Sequence, residues 1–202
     1  AGAALVNASS APATAADRPL LRVQETGAAL RAMAQAYRRR VNPLIVAVTG
    51  SAGKSTVKEM IAQIVCRRAS TARTRGNWNN AVGLPLSLLA MEPDVQVGVF
   101  EVGTNHCGEV DDLCRTLEPS WGVVTNVGPV HMEFFGSLDA IIEEKGYLLA
   151  ALPTDGVAFL DRDAPYFARL AHRSRARMVT IARANDADYV CTEWTPAENA
   201  MT

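Results

Sequence analysis

The sequence predicts an α/β fold, with a mostly parallel sheet and helices on both faces. From residue 44 onward, short apolar runs alternate with segments of helical periodicity, as in successive βαβ units. The runs at 95–102 and 121–127 are rich in β-branched residues and carry almost no charge before their ends, as buried parallel strands do. The run at 44–48 leads directly into a glycine turn and a helical pattern, which is typical of a nucleotide-binding strand.

The elements follow in chain order. A strand is predicted at 1–6 and a loop rich in Ser, Ala, Pro and Thr at 7–19. The helix predicted at 26–40 ends in three arginines, which suit the negative end of a helix dipole, and we interpret them as a solvated helix end rather than a nucleic-acid patch. Asn42-Pro43 interrupts the chain and indicates a domain junction. The remaining strands are predicted at 44–49, 95–102, 121–127, 156–160 and 177–182, and the remaining helices at 54–68, 82–91, 108–117, 137–151 and 163–173.

Composition limits the classes of function. The chain has 202 residues, of which 49% are hydrophobic, enough for a core in one or two domains. Its formal net charge of −1 argues against nucleic acid as the main partner, and no apolar stretch is long enough to span a bilayer. The scattered cysteines predict reduced thiols, no zinc site and a cytoplasmic location, because they form no C-x-x-C pair. They are Cys66, Cys107, Cys114 and Cys191.

Residues 49–56 read Thr-Gly-Ser-Ala-Gly-Lys-Ser-Thr and predict a phosphate-binding loop. Backbone N–H groups of a glycine turn at a helix start face an anion, Lys54 adds a positive charge, and the Ser55 hydroxyl can hold a magnesium ion. The pattern departs from the common P-loop motif, since Val48 stands where that motif has glycine. The alternative is an ordinary glycine turn with an exposed lysine. The loop indicates that the chain handles ATP or GTP.

Further polar residues follow the predicted strands, at the edge of the sheet where ligands of parallel α/β proteins bind. Glu101 is the natural magnesium ligand, because hard cations prefer oxygen; the alternative is a solvent-facing strand-end glutamate. Asn126 and His131 follow another strand, and a lone histidine is more often an ordinary loop or core residue. From its pattern alone, Lys145 is interpreted as an exposed helix lysine beside two acids.

Five separated strings of the chain occur together, in this order, in one protein family. They are Thr-Gly-Ser-Ala-Gly-Lys-Ser at 49–55, Gly-Asn-Trp-Asn-Asn-Ala-Val-Gly-Leu-Pro-Leu-Ser-Leu-Leu at 76–89, Glu-Val-Gly-Thr-Asn-His-Cys-Gly-Glu-Val at 101–110, Thr-Asn-Val-Gly-Pro-Val-His-Met-Glu-Phe-Phe-Gly-Ser at 125–137 and Glu-Lys-Gly at 144–146. Over residues 20–190 the chain resembles the ATP-dependent Mur ligases of bacterial cell-wall synthesis. The second and third strings point to the member that adds D-alanyl-D-alanine (D-Ala-D-Ala) to UDP-N-acetylmuramoyl-tripeptide (UDP-MurNAc-tripeptide).

The resemblance implies a three-domain protein of which this chain is a part. By resemblance, residues 1–41 are the tail of an N-terminal UDP-substrate domain, residues 42–202 are an incomplete, P-loop NTPase-like central ATP-binding domain, and the C-terminal domain is absent. We expect a monomer; the residues by themselves leave the oligomeric state open. We expect the 202-residue chain alone to be inactive, because surfaces for two substrates are missing.

The implied chemistry is formation of an amide bond through an acyl phosphate. The γ-phosphate of ATP passes to a substrate carboxylate, and the amine of D-Ala-D-Ala then displaces phosphate. Because a triphosphate and a carboxylate repel each other in a dry site, cations must bridge them. Mg²⁺ and lysine are the cations that the resemblance implies.

The resemblance assigns roles to individual residues and reverses the interpretations of His131 and Lys145. Lys54, His131 and Lys145 are implied to be catalytic, and Asn79 and Asn126 to orient substrate. The implied ATP-binding residues are Thr49, Gly50, Ser51, Ala52, Gly53, Lys54, Ser55, Thr56 and Asn80. The implied Mg²⁺ ligands are Ser55, Glu101, His131 and Lys145 in a carbamylated form.

Two other interpretations stay open at this point. One is another P-loop ligase of the folylpolyglutamate synthetase type, which is mechanistically close. The other is a nucleotide-binding module without catalysis. The sequence also leaves open whether the third residue of the tripeptide is diaminopimelate or lysine.

Overall fold

The computed structural model describes residues 3–9 and 19–193. The strands found there are β1 (Ala4–Asn7), β2 (Leu20–Val23), β3 (Leu44–Thr49), β4 (Thr71–Arg73), β5 (Val97–Glu101), β6 (Trp121–Val124), β7 (Val157–Asp161), β8 (Arg177–Ala182) and β9 (Tyr189–Val190). The helices are α1 (Thr26–Val41), α2 (Lys54–Val65), α3 (Gly83–Leu89), α4 (Glu109–Leu117), α5 (Met132–Phe135), α6 (Leu138–Ala150) and α7 (Phe167–Ala171).

A seven-stranded parallel sheet forms the body of the molecule, in the order β4-β5-β3-β6-β7-β8-β9. The strand β3 pairs with β5 on one side and with β6 on the other, so the connections from it run in opposite directions across the sheet. Ligands of such sheets bind beyond the carboxyl ends of the strands at this switch point. The strands β1 and β2 form a separate parallel pair. The predicted fold class is confirmed.

Alternating side chains give the sheet two apolar faces. Ile45, Ala47 and Phe100 belong to a core built with α1, α3, α4 and α6. Val46 and Val48 belong to a second core, on the opposite face, with α2. Beside α2, this second face carries a groove of about 470 Å³ whose lining side chains are all apolar. Helices therefore lie on both faces of the sheet: α1, α3, α4 and α6 pack on one face, and α2 packs on the other.

The helix α1 packs onto the body through its arginines. Arg38 is only 8% exposed, and its guanidinium donates to the Leu117 carbonyl (Nε, 3.0 Å) and the Glu118 carbonyl (Nη2, 2.8 Å) at the end of α4. Burial lowers the pKa of Arg38 from its ordinary value, and the charge of Glu118 opposes this. Arg39 forms an ion pair with the Glu118 carboxylate. The interpretation of the arginines as a solvated helix end is therefore wrong for Arg38.

Several boundaries differ from the predicted ones. The strand predicted at 121–127 ends at Val124, because the next residues turn to contact the loop after β3. The helix predicted at 163–173 is reduced to Phe167–Ala171, because the Asp163 carboxylate accepts hydrogen bonds from the backbone of residues 183–185. The elements β2, β4, β9 and α5 were not predicted, since four residues or fewer show no periodicity.

Parts of two predictions lie outside the described residues: positions 1–2 of the strand predicted at 1–6, and positions 10–18 of the loop predicted at 7–19. Within residues 3–9 and 19–193, no helix combines the length and the apolar character needed to cross a lipid bilayer. The division into domains at residues 41 and 42 stays a prediction.

Candidate active site

The loop between β3 and α2 is held in place by the segment that follows β6. The Asn126 side chain accepts a hydrogen bond from the Ala52 N–H (2.9 Å) and donates one to the Ala52 carbonyl (3.1 Å). Thr125 Oγ1 also donates to the Ala52 carbonyl (2.6 Å). Ser51 N donates to the Asn126 carbonyl (3.0 Å). Asn126 thus fixes the shape of the loop, and its predicted contact with substrate stays a prediction.

Two glycines give this loop a conformation that other residues resist. At Gly50 (φ +152°), a Cβ atom would lie 1.9 Å from Thr125 Oγ1, so any side chain would clash. Gly53 has a left-handed backbone (φ +77°) directly before α2, with open space around it. The first N–H groups of a helix lack partners within the helix. The loop therefore presents the start of α2 to an anion, as the sequence predicts.

Lys54 opens α2 and folds back over the loop. Its Nζ donates to the Gly50 carbonyl (2.9 Å), which holds the ammonium beside the backbone N–H groups. Thr49 is buried at the end of β3 and donates from Oγ1 to the Val102 carbonyl (2.9 Å). Thr56 is exposed in the first turn of α2. Lys54 is thus placed to meet a phosphate, whereas Thr49 joins β3 to the segment after β5.

Glu101 is the centre of the site. It is 2% exposed, and its Oε2 accepts a hydrogen bond from Ser55 Oγ (2.6 Å). Its Oε1 accepts one from Asn79 Nδ2 (2.8 Å), and its backbone N–H donates to Thr74 Oγ1 (2.9 Å). The alternative of a solvent-facing glutamate is excluded. A carboxylate at the end of β5 and a hydroxyl in the first turn of α2 meet beside the loop, as the prediction of a shared metal requires.

The two predicted asparagines have different partners. Asn79 contacts the Glu101 carboxylate, and its carbonyl accepts a hydrogen bond from Gly103 N (2.9 Å). A Cβ atom at Gly103 would come within 2.7 Å of the Asn79 side chain. Asn80 Oδ1 accepts from the backbone N–H groups of Val82 (3.1 Å) and Gly83 (2.8 Å) and so caps α3. Asn79 is therefore tied to the carboxylate and Asn80 to the helix start.

Lys145 is buried rather than exposed, so the interpretation from its pattern alone is wrong. Only 2% of the residue is accessible. Burial and, to a smaller extent, the nearby charge of Lys54 lower the pKa of Lys145 to about 8, and the charge of Glu144 opposes this shift. A sequence pattern cannot show this, because both acids beside Lys145 suggest a solvated face. Near pH 8, a fraction of the protein molecules consequently carries Lys145 as a neutral amine.

The neighbouring Glu144 joins α6 to the wall of the site. It is 1% exposed, and its carboxylate accepts hydrogen bonds from the backbone N–H groups of Gly108 (2.6 Å) and Val110 (2.8 Å) at the start of α4. Thr104 Oγ1 lies 3.3 Å from the same carboxylate. Glu144 thus fixes the segment 104–110 against the helix that carries Lys145.

A cavity of about 390 Å³ lies against these residues. Its wall includes Lys54, Asn79, Asn80 and Glu101, and also His131. His131 is exposed and has a left-handed backbone (φ +51°) at the start of α5. The structure therefore brings these five predicted residues to one cavity. Ser55 joins them through its hydrogen bond to Glu101.

The donor set suits a hard cation that also binds phosphate. In residues 3–9 and 19–193 no cluster of three or more His, Cys, Asp and Glu side chains could hold a metal ion by itself. Magnesium usually takes one or two carboxylates and completes its shell with phosphate oxygens and water. The exposed Ser55 hydroxyl, hydrogen-bonded to the buried Glu101 carboxylate beside the phosphate loop, fits that requirement. A nucleotide would have to supply further oxygens.

Sequence reasoning missed several residues that shape the site. Thr74 is 1% exposed and follows β4, a three-residue strand without a periodic signal. Its carbonyl accepts a hydrogen bond from Lys58 Nζ (3.0 Å), and Lys58 is also 1% exposed. Thr125 and Glu144 had a signal only in their position next to predicted residues. These four residues form hydrogen bonds with backbone groups or side chains of other segments, and a sequence motif does not reveal such contacts.

The model of one protein family, the Mur ligase middle domain, matches residues 48–199. The chain belongs to the Mur ligase family. A Mur ligase of Haemophilus influenzae, named UDP-N-acetylmuramoyl-tripeptide–D-alanyl-D-alanine ligase, is 38% identical to the chain over 149 residues, which are 72% of this chain and 33% of that protein. The chain thus spans about a third of the length of this curated relative.

Solved structures of Mur ligases share the fold. The structure of MurF ligase from Thermotoga maritima in complex with ADP has a TM-score of 0.84 and 28% identity, covering 93% of this chain and 43% of that one. The UDP-N-acetylmuramoylalanyl-D-glutamyl-2,6-diaminopimelate–D-alanyl-D-alanyl ligase of Acinetobacter baumannii has a TM-score of 0.81 and 30% identity, covering 91% and 40%. The family resemblance predicted from the five strings is confirmed.

Proposed function

We propose that this chain is the ATP-binding middle domain of a ligase that adds D-Ala-D-Ala to UDP-MurNAc-tripeptide in peptidoglycan synthesis. The contact between Ser55 Oγ and Glu101 Oε2 (2.6 Å), beside the loop that carries Lys54, is the observation on which the proposal depends. The Ser55 and Glu101 oxygens can hold a metal ion, and the Lys54 ammonium group supplies a positive charge. A nucleoside triphosphate needs these groups together at one place. The ADP complex of the Thermotoga maritima relative supports ATP as the nucleotide.

In the proposed reaction, Lys54 holds the β- and γ-phosphates against the N–H groups of the loop. The donor carboxylate attacks the γ-phosphorus, the bond to ADP breaks, and an acyl phosphate forms. The amine of D-Ala-D-Ala then attacks the acyl carbon, loses a proton and displaces phosphate. Ser55 and Glu101 would hold Mg²⁺, which supplies positive charge between the two anions. His131 at the cavity wall is proposed to face the same metal region.

Lys145 is proposed to act as a carbamate. Its neutral amine attacks carbon dioxide, an N–C bond forms and one proton leaves, so a cation becomes an anionic oxygen ligand. The burial of Lys145 and its pKa of about 8 support this step, because only the unprotonated amine reacts. The proximity of Lys54 supports it too, since an anion there would relieve the repulsion between two lysines.

The proposal includes the arrangement of the whole protein. Residues 1–41 would be the tail of the donor-binding domain, and the separate pair β1–β2 supports that division. The rest of the chain would be most of the ATP-binding domain. We also propose a monomer and a cytoplasmic location, where ATP is available. The similarity of the chain to D-Ala-D-Ala ligases favours this function over the folylpolyglutamate synthetase type.

A phosphate-release assay on the complete ligase tests the proposal. Release is expected with ATP, UDP-MurNAc-tripeptide and D-Ala-D-Ala together, and not with either substrate alone or with folate plus glutamate. Lys54→Ala is expected to abolish release, because the phosphates lose their cation. Release with folate and glutamate would favour the alternative ligase, and binding of ATP without turnover would favour the non-catalytic module. Unchanged turnover in Lys54→Ala would reject the phosphate role of Lys54.

A further inference from the structure

A buried lysine of α2 has no part in the proposed reaction. Lys58 lies one turn after Lys54 and is 1% exposed, so a bound nucleotide has no access to its ammonium group. Removing an ammonium group from water is costly unless the group is both paired and hydrogen-bonded. Lys58 Nζ donates to the Thr74 carbonyl (3.0 Å) and lies 3.0 Å from Glu59 Oε1. Lys58 therefore meets both conditions, and its hydrogen bond joins α2 to the segment after β4.

The residue that Lys58 contacts, Thr74, in turn contacts the backbone of Glu101. Thr74 is 1% exposed, and each of its polar groups has a partner. Its N–H donates to the Val99 carbonyl (3.2 Å), its Oγ1 accepts from the Glu101 N–H (2.9 Å), and its carbonyl accepts from Lys58. A chain of hydrogen bonds therefore runs from α2 through Thr74 to the end of β5.

The segment from Thr74 to Asn79 contacts Glu101 at both of its ends. Asn79 Nδ2 donates to the Glu101 carboxylate (2.8 Å), and Thr74 accepts from the Glu101 backbone. The strand before this segment, β4, has three residues and lies at the edge of the sheet, paired with β5. A short edge strand makes few hydrogen bonds, and elements with few contacts open easily. The contact with Lys58 therefore stabilises the segment that contacts the carboxylate.

We propose that Lys58 is a positioning residue for a magnesium site at Ser55 and Glu101. By binding Thr74, Lys58 joins the end of β5 to the helix that carries the Ser55 hydroxyl. A metal ion must meet both oxygens at once, and losing a group that orients a metal ligand commonly lowers metal affinity by about tenfold to hundredfold. A charged donor suits this task, because its hydrogen bond is stronger than that of a neutral one. This inference rests on the proposed function, since it takes Ser55 and Glu101 as the ligands.

The test measures ADP binding to the complete ligase by calorimetry, once with Mg²⁺ and once with a chelator. The ratio of the two Kd values gives the contribution of the metal. Lys58→Met keeps an unbranched side chain but removes the donor, and it is expected to reduce this ratio by about tenfold or more. The Kd with chelator should stay within about threefold, because Lys54 and the N–H groups of the loop are unchanged. The Mg²⁺ concentration that gives half-maximal phosphate release should rise by about tenfold as well.

A pair of variants at Thr74 tests the same hydrogen bonds without changing the lysine. Thr74→Val keeps the shape of the side chain but removes Oγ1, so it should reduce the ratio as Lys58→Met does. Thr74→Ser keeps the hydroxyl and should retain the wild-type ratio. Because both residues act through one chain of hydrogen bonds, Lys58→Met and Thr74→Val combined should reduce the ratio by less than the product of the two single effects.

Two controls separate positioning from a general loss of stability. Arg73→Met removes an ion pair with Glu59 (3.3 Å) at the position next to Thr74, and it should leave the ratio unchanged. Ala62→Gly weakens α2 at a buried position and should lower the stability to urea without changing the ratio.

Equal weakening of ADP binding with and without Mg²⁺ in Lys58→Met would overturn the positioning role. Independent effects in the double variant, or an equally reduced ratio in Arg73→Met, would overturn it too. So would a wild-type enzyme whose affinity for ADP does not respond to Mg²⁺. A wild-type enzyme that responds to Mg²⁺ but does not ligate D-Ala-D-Ala loses the proposed function, whereas ligation with unchanged ratios in the variants removes only the role of Lys58.

Discussion

At the residue scale, Gly50 is the most constrained position of the phosphate loop. A Cβ atom there would meet Thr125 Oγ1 at 1.9 Å, whereas one at Gly53 would meet nothing within 4 Å. Gly50→Ala is expected to destabilise the fold by about 2 kcal/mol or more and to weaken ADP binding, and Gly53→Ala to cost only about 1 kcal/mol of backbone strain. Urea unfolding and calorimetric titration with ADP in the complete ligase measure both. Equal costs for the two variants would contradict the steric argument.

Lys145 predicts a pH dependence of stability. Its folded pKa of about 8 lies below the ordinary value of 10.5. Below pH 8, Lys145 is protonated in both the folded and the unfolded state, and the buried ammonium group costs the folded state about 3 kcal/mol. Between pH 8 and 10.5 only the unfolded state keeps the proton, so stability rises with pH. Above 10.5 the contribution is constant.

Lys145→Met should remove this rise and stabilise the protein at pH 7, because the buried ammonium group of Lys145 is then absent. Urea unfolding between pH 7 and 10.5, with a chelator and without carbon dioxide, compares the variant with wild type. Parallel curves for the two proteins would show that Lys145 is not the group responsible. This variant should be more stable, because a buried charge is removed. It should also be less active, because the proposed carbamate cannot form.

At the element scale, Glu144 joins α6 to the start of α4. Glu144→Gln leaves one acceptor oxygen for two N–H groups, Gly108 and Val110, and should cost about 1–3 kcal/mol. The matched control is Glu143→Gln, since Glu143 is exposed and pairs with Arg169 and Arg173 on the surface, worth about 0–1 kcal/mol.

Urea unfolding gives the costs, and amide hydrogen exchange locates them. Faster exchange at Gly108 and Val110 is expected in Glu144→Gln alone. Comparable losses in both variants would mean that the buried hydrogen bonds do not distinguish Glu144 from its neighbour.

At the scale of the whole molecule, the chain holds one part of the proposed machinery. It spans about a third of the length of the Haemophilus influenzae relative, and its site lies at the edge of one sheet. We expect the 202-residue chain alone to show little or no ligation, because it covers only 33% of the length of that relative. Phosphate release by the chain, compared with the complete ligase at equal concentration, measures this. Robust ligation by the chain alone would refute it.

The sequence determined the fold class, the longer elements and the phosphate loop. Strands such as β3 and β8 were predicted with their observed bounds, because short runs rich in apolar and β-branched residues favour strands of a sheet. The order of residues along the chain also placed Glu101 and Lys54 at strand ends and helix starts. Five strings identified the family, since their combination is specific although each alone is not.

Only the tertiary structure decided which side chains are buried and what they contact. Lys145 has the local pattern of a surface lysine, yet it is buried because α6 packs against α4 and against the strands β3 and β6. Thr74 and Glu144 bind partners 27 and 34–40 residues away, and Arg31 reaches the cavity from a helix that precedes the sheet. Burial, pKa and cavity walls depend on contacts between distant segments, and a one-dimensional pattern records only neighbours along the chain.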